Sequence, residues 1–376
     1  MTSRRTGSLA PRLAVTGGGT GGHVYPALAV ISAWQRFVGH EPEVLYLGSS
    51  GGIEETLVQR EGIPFRGVHA GPLRGKGPLV VLRSARRLVR GVVQSWKVLG
   101  AFLPDALLAT GGYVSIPVAL AARIRHIPIV VYLPDIEPGW AVRALAPLSQ
   151  RIAVTAEASR DYLPSRKVVV TGYPVREGVR GLDKVNARRR LGLPEDLPTL
   201  LVLGGSRGAR SINVAVGDNL DQLLEVCQLI HISGTSDEGW LKERATQLGS
   251  HLSGRYALYP YLHSEFPSAL AAADLALSRA GASVMGEYPA VGLPSVLVPY
   301  PYAGSHQDKN AEYLSQAGAA LVLRNGQTKS LQNAVIGLLK DPAKLGQMAS
   351  RARALSRPNA AREIAALLVE FRRQDN

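Results

Sequence analysis

Short runs rich in Val, Ile and Leu recur along the chain, each followed by a glycine-containing turn and then a longer stretch where apolar residues return every three or four positions. The first pattern suits strands and the second helices packed on a sheet. Their alternation predicts successive strand-helix units and parallel sheets. The candidate strands are residues 12–16, 43–47, 65–69, 106–110, 128–132, 151–155 and 168–171, then 199–203, 228–233, 255–259, 274–278, 295–299 and 320–323. Between the two series, residues 177–198 are charged and proline-bearing, with Arg188, Arg189 and Arg190 in succession, which reads as a connection plus a short helix. The domain boundary is therefore expected near Arg176, and the expected architecture is α/β: two doubly wound parallel-sheet domains, residues 1–176 and 177–356, facing across a cleft.

A length of 376 residues agrees with more than one core, and 46% hydrophobic against 19% charged residues excludes a disordered chain. The single cysteine, Cys227, excludes an intramolecular disulfide and a thiolate zinc site, which fits a reducing compartment. The N-terminus lacks a continuous apolar core, so neither a signal peptide nor an anchor is expected, and no stretch reaches the length of a membrane span. The formal net charge of +14 points to an anionic partner, which nucleic acid, acidic lipid and a phosphate-bearing small molecule all satisfy. Its distribution is uneven: residues 62–104 hold no acid but carry Arg66, Arg74, Lys76, Arg83, Arg86, Arg87, Arg90 and Lys97. Within 79–103, Leu79, Leu82, Val89, Val92, Val93, Trp96, Leu99 and Leu103 recur at helical spacing opposite most of these cations. That is a basic amphipathic helix, suited either to a membrane surface or to packing on its own sheet with a solvated cationic face.

Each half opens with a strand running into glycines. Gly17 to Gly22 satisfies Gly-x-Gly-x-x-Gly, in which backbone amides can approach a phosphate at a helix N-terminus. A nicotinamide or flavin site also needs an acid at the end of the second strand, but Leu47 is followed by Gly48, Ser49 and Ser50. His23 directly follows the loop, with Pro26 suited to the first turn of the helix, and a neutral imidazole there can accept a proton near pH 7. The second loop, Gly204 to Gly208, adds Ser206, Arg207 and Arg210 as a second anion site. Glu287 is expected about two turns into a helix that starts at a strand end, from where a carboxylate can accept ribose hydroxyls. No Asp-x-Asp occurs and no His/Asp/Glu set has ligand spacing, so any leaving diphosphate is expected to be stabilised without metal by helix N-termini, hydroxyls and arginines.

Taken in order, Gly-Gly-Thr-Gly-Gly-His-Val-Tyr-Pro at 18–26, Leu-Arg-Gly-Lys-Gly at 73–77, Gly-Gly-Tyr-Val-Ser at 111–115, Gly-Gly-Ser-Arg-Gly-Ala-Arg at 204–210 and Val-Gly-Leu-Pro at 291–294 resemble the MurG family, the glycosyltransferases of family 28 that convert lipid I to lipid II in bacterial peptidoglycan synthesis. The matches cover about 12–310. The resemblance implies a GT-B fold, UDP-N-acetylglucosamine as donor, lipid I as acceptor, inversion at the sugar carbon, and peripheral attachment to an anionic membrane surface on the cytoplasmic face. It implies no cofactor and no nucleic acid partner. A helix in 357–376 is expected to pack back on the first domain. By motif, His23 is the base. Thr20, Gly21, Gly22, Arg176, Ser206, Leu262, Arg279, Ala282, Glu287 and Gln307 are the donor-binding residues. Among these, Arg176 and Ser206 would meet phosphate, Glu287 the ribose, Leu262 the uracil and Gln307 the sugar hydroxyls. Gly18, Gly19, Gly111, Gly112, Tyr113 and Asp135 would face the acceptor.

The chain departs from the family at Tyr132-Leu133-Pro134-Asp135, where His-Glu-Gln-Asn is usual, and at Val142 and Tyr173, where asparagine is usual. Three alternatives share part of the pattern: another GT-B enzyme using the same donor, such as a UDP-N-acetylglucosamine 2-epimerase; a nicotinamide oxidoreductase; and a non-catalytic basic binding protein.

Overall fold

The computed structural model describes residues 10–39, 42–71, 78–205, 208–301, 306–324 and 330–371 and, within the helix that starts at 78, side chains from 85 onward. It divides into two compact units, one of residues 1–134, 138–174 and 359–376, the other of 135–137 and 175–358.

The first unit is a seven-stranded sheet of β1 (Arg12–Thr16), β2 (Glu43–Ser49), β3 (Phe65–Val68), β4 (Ala106–Ala109), β5 (Ile129–Leu133), β6 (Arg151–Val154) and β7 (Val168–Val170), in the order β3-β2-β1-β4-β5-β6-β7. Every pairing is parallel. Helices cover both faces of such a sheet, which is why its strands read as unbroken apolar runs. All five residues of β5 are buried. The helices that matter for the site are α1 (Gly21–Val38), α2 (Ile53–Arg60), α3 (Pro78–Phe102) and α4 (Ser115–Ile124). The C-terminal helix Ala360–Val369 packs along α1, and Glu370 just beyond it meets Arg151 at 3.7 Å.

The second unit is a six-stranded parallel sheet of β8 (Thr199–Leu203), β9 (Gln228–Ile232), β10 (Tyr256–Tyr259), β11 (Leu275–Ser278), β12 (Ser295–Leu297) and β13 (Ala320–Val322), in the order β10-β9-β8-β11-β12-β13. The connection before β8 is packed onto the sheet edge. Arg188, read from the sequence as part of a charged linker, is buried, donating to the carbonyls of Ala272 and Glu195 at 3.2 and 2.6 Å and to Asp274 at 2.6 Å. Asp274 also accepts from the backbone N–H of Thr199 at 2.7 Å, so a single carboxylate ties this connection to the start of β8.

Two local expectations are corrected. The helix after the first glycine loop begins at Gly21, so Pro26 lies in its second turn. Glu287 is the first residue of a short helix, Glu287–Val291, because a 3-10 turn at Ala282–Met285 and Gly286 interrupt the segment that the sequence reads as one continuous helix.

Candidate active site

In the first unit the strand order reverses between β1 and β4, where Thr16 pairs with Ala109. Ligands of open parallel sheets sit beyond the C-terminal strand ends at such a point. The glycine loop into α1 and residues 110–114 into α4 meet there. The Gly18 N–H donates to the Gly111 carbonyl at 3.2 Å. Gly112, at φ +85°, has no room for a side chain, since a Cβ would lie 2.5 Å from the Gly18 oxygen. His23, in the first turn of α1, holds its Nδ1 2.6 Å from the Thr110 carbonyl oxygen. A carbonyl can only accept, so Nδ1 carries the hydrogen and the lone pair of the neutral ring is on Nε2, the arrangement a general base requires. Tyr113 is exposed at the mouth of the loop, its ring 6.5 Å from that of Trp140. Thr20 is the N-cap of α1 and makes no side-chain cap, so Gly21 and Gly22 are the first residues of the helix, where backbone N–H groups have no partner within the helix.

An acid does stand at the end of β2, supplied from further along the chain. Glu54, in the first turn of α2 and 1% exposed, accepts from the N–H of Ser49 at 3.0 Å and of Gly19 at 3.1 Å. Both oxygens therefore face backbone donors rather than a ribose site. The Gly18 and Gly19 amides are engaged within the unit, donating to Gly111 and to Glu54. Tyr46 donates to the Gly17 carbonyl at 2.9 Å, and burial, reinforced by the Glu54 charge, pushes its phenol up and keeps it a donor.

In the second unit the order reverses between β8 and β11, where Leu203 pairs with Ser278. The second glycine loop leads into the helix Arg210–Asp218. Ser206 and Arg207 lie outside the described residues, as does the Leu73 to Gly77 motif. Gly208, at φ +74°, backs onto β9, a Cβ there falling 2.4 Å from the Ser233 oxygen. Arg210 pairs with the buried Asp237 and lies over the Trp240 ring at 4.9 Å. Asn213 donates to Asp237 at 2.7 Å and to the Ser233 carbonyl at 2.8 Å, so its own oxygen accepts from Nε2 of His231 at 3.0 Å. Tyr256 then donates to Nδ1 of His231 at 2.9 Å. Burial pushes His231 down to about 3, Asp237 opposing, and the ring is neutral.

Arg176 and Glu287, both expected at the donor, are brought together: Nε of Arg176 donates to Oε1 of Glu287 at 2.7 Å, and its guanidinium lies 4.5 Å from the Phe266 ring centroid. Glu287 is 2% exposed, so this partner offsets the desolvation of its charge. A carboxylate has about four acceptor sites, and the Arg176 Nε bond takes one of them.

Arg279 ties segments together, donating to the carbonyls of Val298 and Pro299 at 3.0 and 3.2 Å and to the Ser211 hydroxyl at 2.9 Å. Burial lowers its pKa, with Tyr300 opposing. Gln307 accepts from the N–H of Tyr300 at 2.9 Å, Leu262 is buried just after β10, and Ala282 starts the 3-10 turn. Asp135 belongs to this second unit, where the fully buried Asn310 donates to it at 2.7 Å and accepts from the N–H of Ile136 at 3.0 Å.

The basic helix α3 carries two apolar faces rather than one. Leu99 is buried, and Val92, Val98 and Phe102 pack on the core, whereas Val89, Val93 and Trp96 are 62%, 50% and 43% exposed beside Arg86, Arg90 and Lys97. Arg125, at the end of α4, stacks on Trp96 with its guanidinium 4.0 Å from the ring centroid. Among the described residues no helix is long and apolar enough to cross a membrane.

Sequence patterns do not single out Glu54, Asn213, His231 or Asp237. For Glu54 the usable signal is Gly51-Gly52-Ile53-Glu54, an acid two residues after a pair of glycines in a first helical turn. For the other three no sequence signal stands out.

The fold agrees with comparisons to known proteins. Residues 13–154 match the glycosyltransferase family 28 N-terminal domain and 199–364 the family 28 C-terminal domain. A protein of Roseiflexus sp. (strain RS-1), named UDP-N-acetylglucosamine--N-acetylmuramyl-(pentapeptide) pyrophosphoryl-undecaprenol N-acetylglucosamine transferase, is 42% identical over 94% of this chain and 93% of its own length. The crystal structure of MurG from Acinetobacter baumannii aligns over 96% of this chain and 99% of its own, with a TM-score of 0.74 and 25% identity. UDP-GlcNAc 2-epimerase from Neisseria meningitidis, bound to UDP-GlcNAc, covers 96% of this chain and 100% of its own, with a TM-score of 0.69 at 16% identity, a likeness of fold alone.

Proposed function

The chain belongs to glycosyltransferase family 28, and from that premise we propose that it transfers N-acetylglucosamine from UDP-N-acetylglucosamine to lipid I, giving lipid II and UDP. The observation that carries the reading is full-length similarity to a transferase named for this reaction, at 42% identity. The His23–Thr110 contact supports it by leaving the Nε2 lone pair to accept the acceptor's proton. The acceptor hydroxyl oxygen forms a bond to the anomeric carbon as its proton passes to Nε2. The bond from that carbon to the diphosphate oxygen breaks, and UDP leaves from the opposite side with inversion.

Glu287 holds the ribose, Arg176 and Ser206 the phosphates, Leu262 the uracil and Gln307 the sugar hydroxyls. Arg279 and Ala282 line the same donor site, and the backbone amides of the N-cap Thr20 and of Gly21 and Gly22 in the first turn of α1 supply further donors. Gly111, Gly112 and Tyr113 face the acceptor. Cationic side chains and helix N-termini, rather than a divalent metal, stabilise the departing diphosphate. The exposed apolar and cationic face of α3 rests on an anionic membrane surface, the cytoplasmic face on which a lipid-linked acceptor is presented.

The test is an assay with radiolabelled UDP-N-acetylglucosamine and lipid I, with and without chelator. Chelator-resistant lipid II formation is the expected result. Epimerisation of the donor in the absence of acceptor, without transfer, would replace this reading with that of a 2-epimerase.

A further inference from the structure

We propose that Glu54 is a positioning residue for the transfer, setting the first glycine loop so that the Thr110 carbonyl holds His23 in its proton-accepting tautomer. The inference rests on the reading of His23 as base. Two glycines clear the space the carboxylate occupies. A Cβ at Gly18 would lie 2.3 Å from Oε1 and one at Gly52 2.6 Å from the carboxyl carbon. At Gly48 a Cβ would meet the Phe65 ring at 2.6 Å and Glu54 Cγ at 2.9 Å, so that glycine makes room for both side chains.

Each arm of the carboxylate meets a different segment: Oε1 takes the Ser49 N–H at the end of β2, and Oε2 takes the Gly19 N–H in the loop. Gly18, the next residue, donates to Gly111, which follows the very carbonyl that binds Nδ1 of His23. The imidazole also rests against Gly111, where a Cβ would lie 2.9 Å from Cε1. The path from carboxylate to imidazole thus runs through three hydrogen bonds, joined by the backbone of Gly18–Gly19 and of Thr110–Gly111. It also requires a group that only accepts hydrogen bonds. A glutamine of the same shape turns an NH2 toward one of two N–H donors, and one contact becomes repulsive.

The experiment compares wild type, Glu54→Gln and Glu54→Asp in the full-length protein. It uses 15N-histidine NMR, with the His23 signal assigned by its loss in His23→Ala, alongside steady-state transfer kinetics and UDP titration. Wild type is expected to show His23 with hydrogen on Nδ1. Glu54→Gln is expected to shift that tautomer toward Nε2–H and to lower kcat at least about tenfold, with UDP affinity within twofold. Glu54→Asp, which keeps the acceptor chemistry but draws it back by one methylene, gives the same shift in smaller measure and serves if the glutamine variant does not fold. A wild-type tautomer in both variants, or wild-type kcat in Glu54→Gln, overturns the proposal. An active His23→Ala enzyme, with the tautomer shift still present in Glu54→Gln, removes the base reading and leaves the positioning of the ring by Glu54 standing.

Discussion

Nδ1 of His23 lies 2.6 Å from the carbonyl oxygen of Thr110, 87 positions away in the chain. The contact turns a titratable side chain into an oriented acceptor, because the backbone fixes which nitrogen carries the hydrogen. His23→Ala is expected to lower kcat by about 10²- to 10⁴-fold, the usual contribution of general-base assistance. UDP affinity should change little, since the side chains assigned to the ribose, the uracil and the sugar, Glu287, Leu262 and Gln307, belong to the second compact unit and His23 to the first. Turnover lowered less than about tenfold in a quenched-flow assay would remove His23 as the base.

The Arg176–Glu287 pair makes a two-sided prediction. Glu287→Gln keeps the shape but loses the charge, and UDP affinity measured by calorimetry should fall about tenfold or more, in line with about 1.5–3 kcal/mol for a hydrogen bond to a charged group. Arg176→Ala strands a carboxylate that is 2% exposed and should cost about 3 kcal/mol of stability, the low end for a broken buried pair because Arg176 itself keeps some solvent contact. Unchanged UDP binding in Glu287→Gln would reject the ribose role.

The alternation of strands and helices is readable in the sequence because parallel strands are buried on both faces and leave unbroken apolar runs, as in the five buried residues of β5. The glycine loops are readable because a backbone that must pass another backbone, as Gly112 passes Gly18, has few substitutes. Side-chain pairing is not readable at the same level. Arg176 and Glu287 stand 111 positions apart and Asp135 and Asn310 175 apart, and no local pattern links them. Nothing local marks Glu54 as buried, and it becomes so only where α2 packs against the end of β2 and the first glycine loop. The apolar stripe of α3 reads as one face, and only packing separates Leu99, turned to the core, from Val93, turned to solvent.

The buried His231 sets a pH dependence. Its folded-state value, pushed down to about 3 by burial, lies below the unfolded value of about 6.5. The unfolded chain therefore binds a proton that the folded one does not, throughout the window between them. The stability contributed by the neutral ring is complete above about pH 6.5 and is lost as pH falls toward 3, by about 1.4 kcal/mol per unit. Asp237, also lowered, acts only below the ordinary carboxylate range, so between pH 6 and 4 the histidine dominates of the two. Urea denaturation of wild type against His231→Gln should show the wild-type slope reduced in the variant. Equal slopes would mean that His231 is charged in the folded protein.

The docking of α3 on a bilayer proposed above is testable at its exposed face. Val89, Val93 and Trp96 fall at i, i+4 and i+7, on one side of the helix, and Arg86, Arg90 and Lys97 lie close to them in sequence on the same exposed helix. Insertion of the apolar residues and attraction of the cations act together at an anionic headgroup layer. Each cation near such a surface contributes about 1 kcal/mol, so Arg86→Gln combined with Arg90→Gln should weaken binding to phosphatidylglycerol vesicles about 30-fold. Added salt should weaken the wild-type binding in the same direction, because screening shortens the reach of the surface potential. Val93→Ser should weaken it at every salt concentration, by removing apolar contact alone, and at 50% exposure the change costs the fold little. Vesicle flotation at two ionic strengths separates the contributions. Equal binding by wild type and the double arginine variant at low salt would sink the docking role of this face, while leaving the chemistry at His23 untouched.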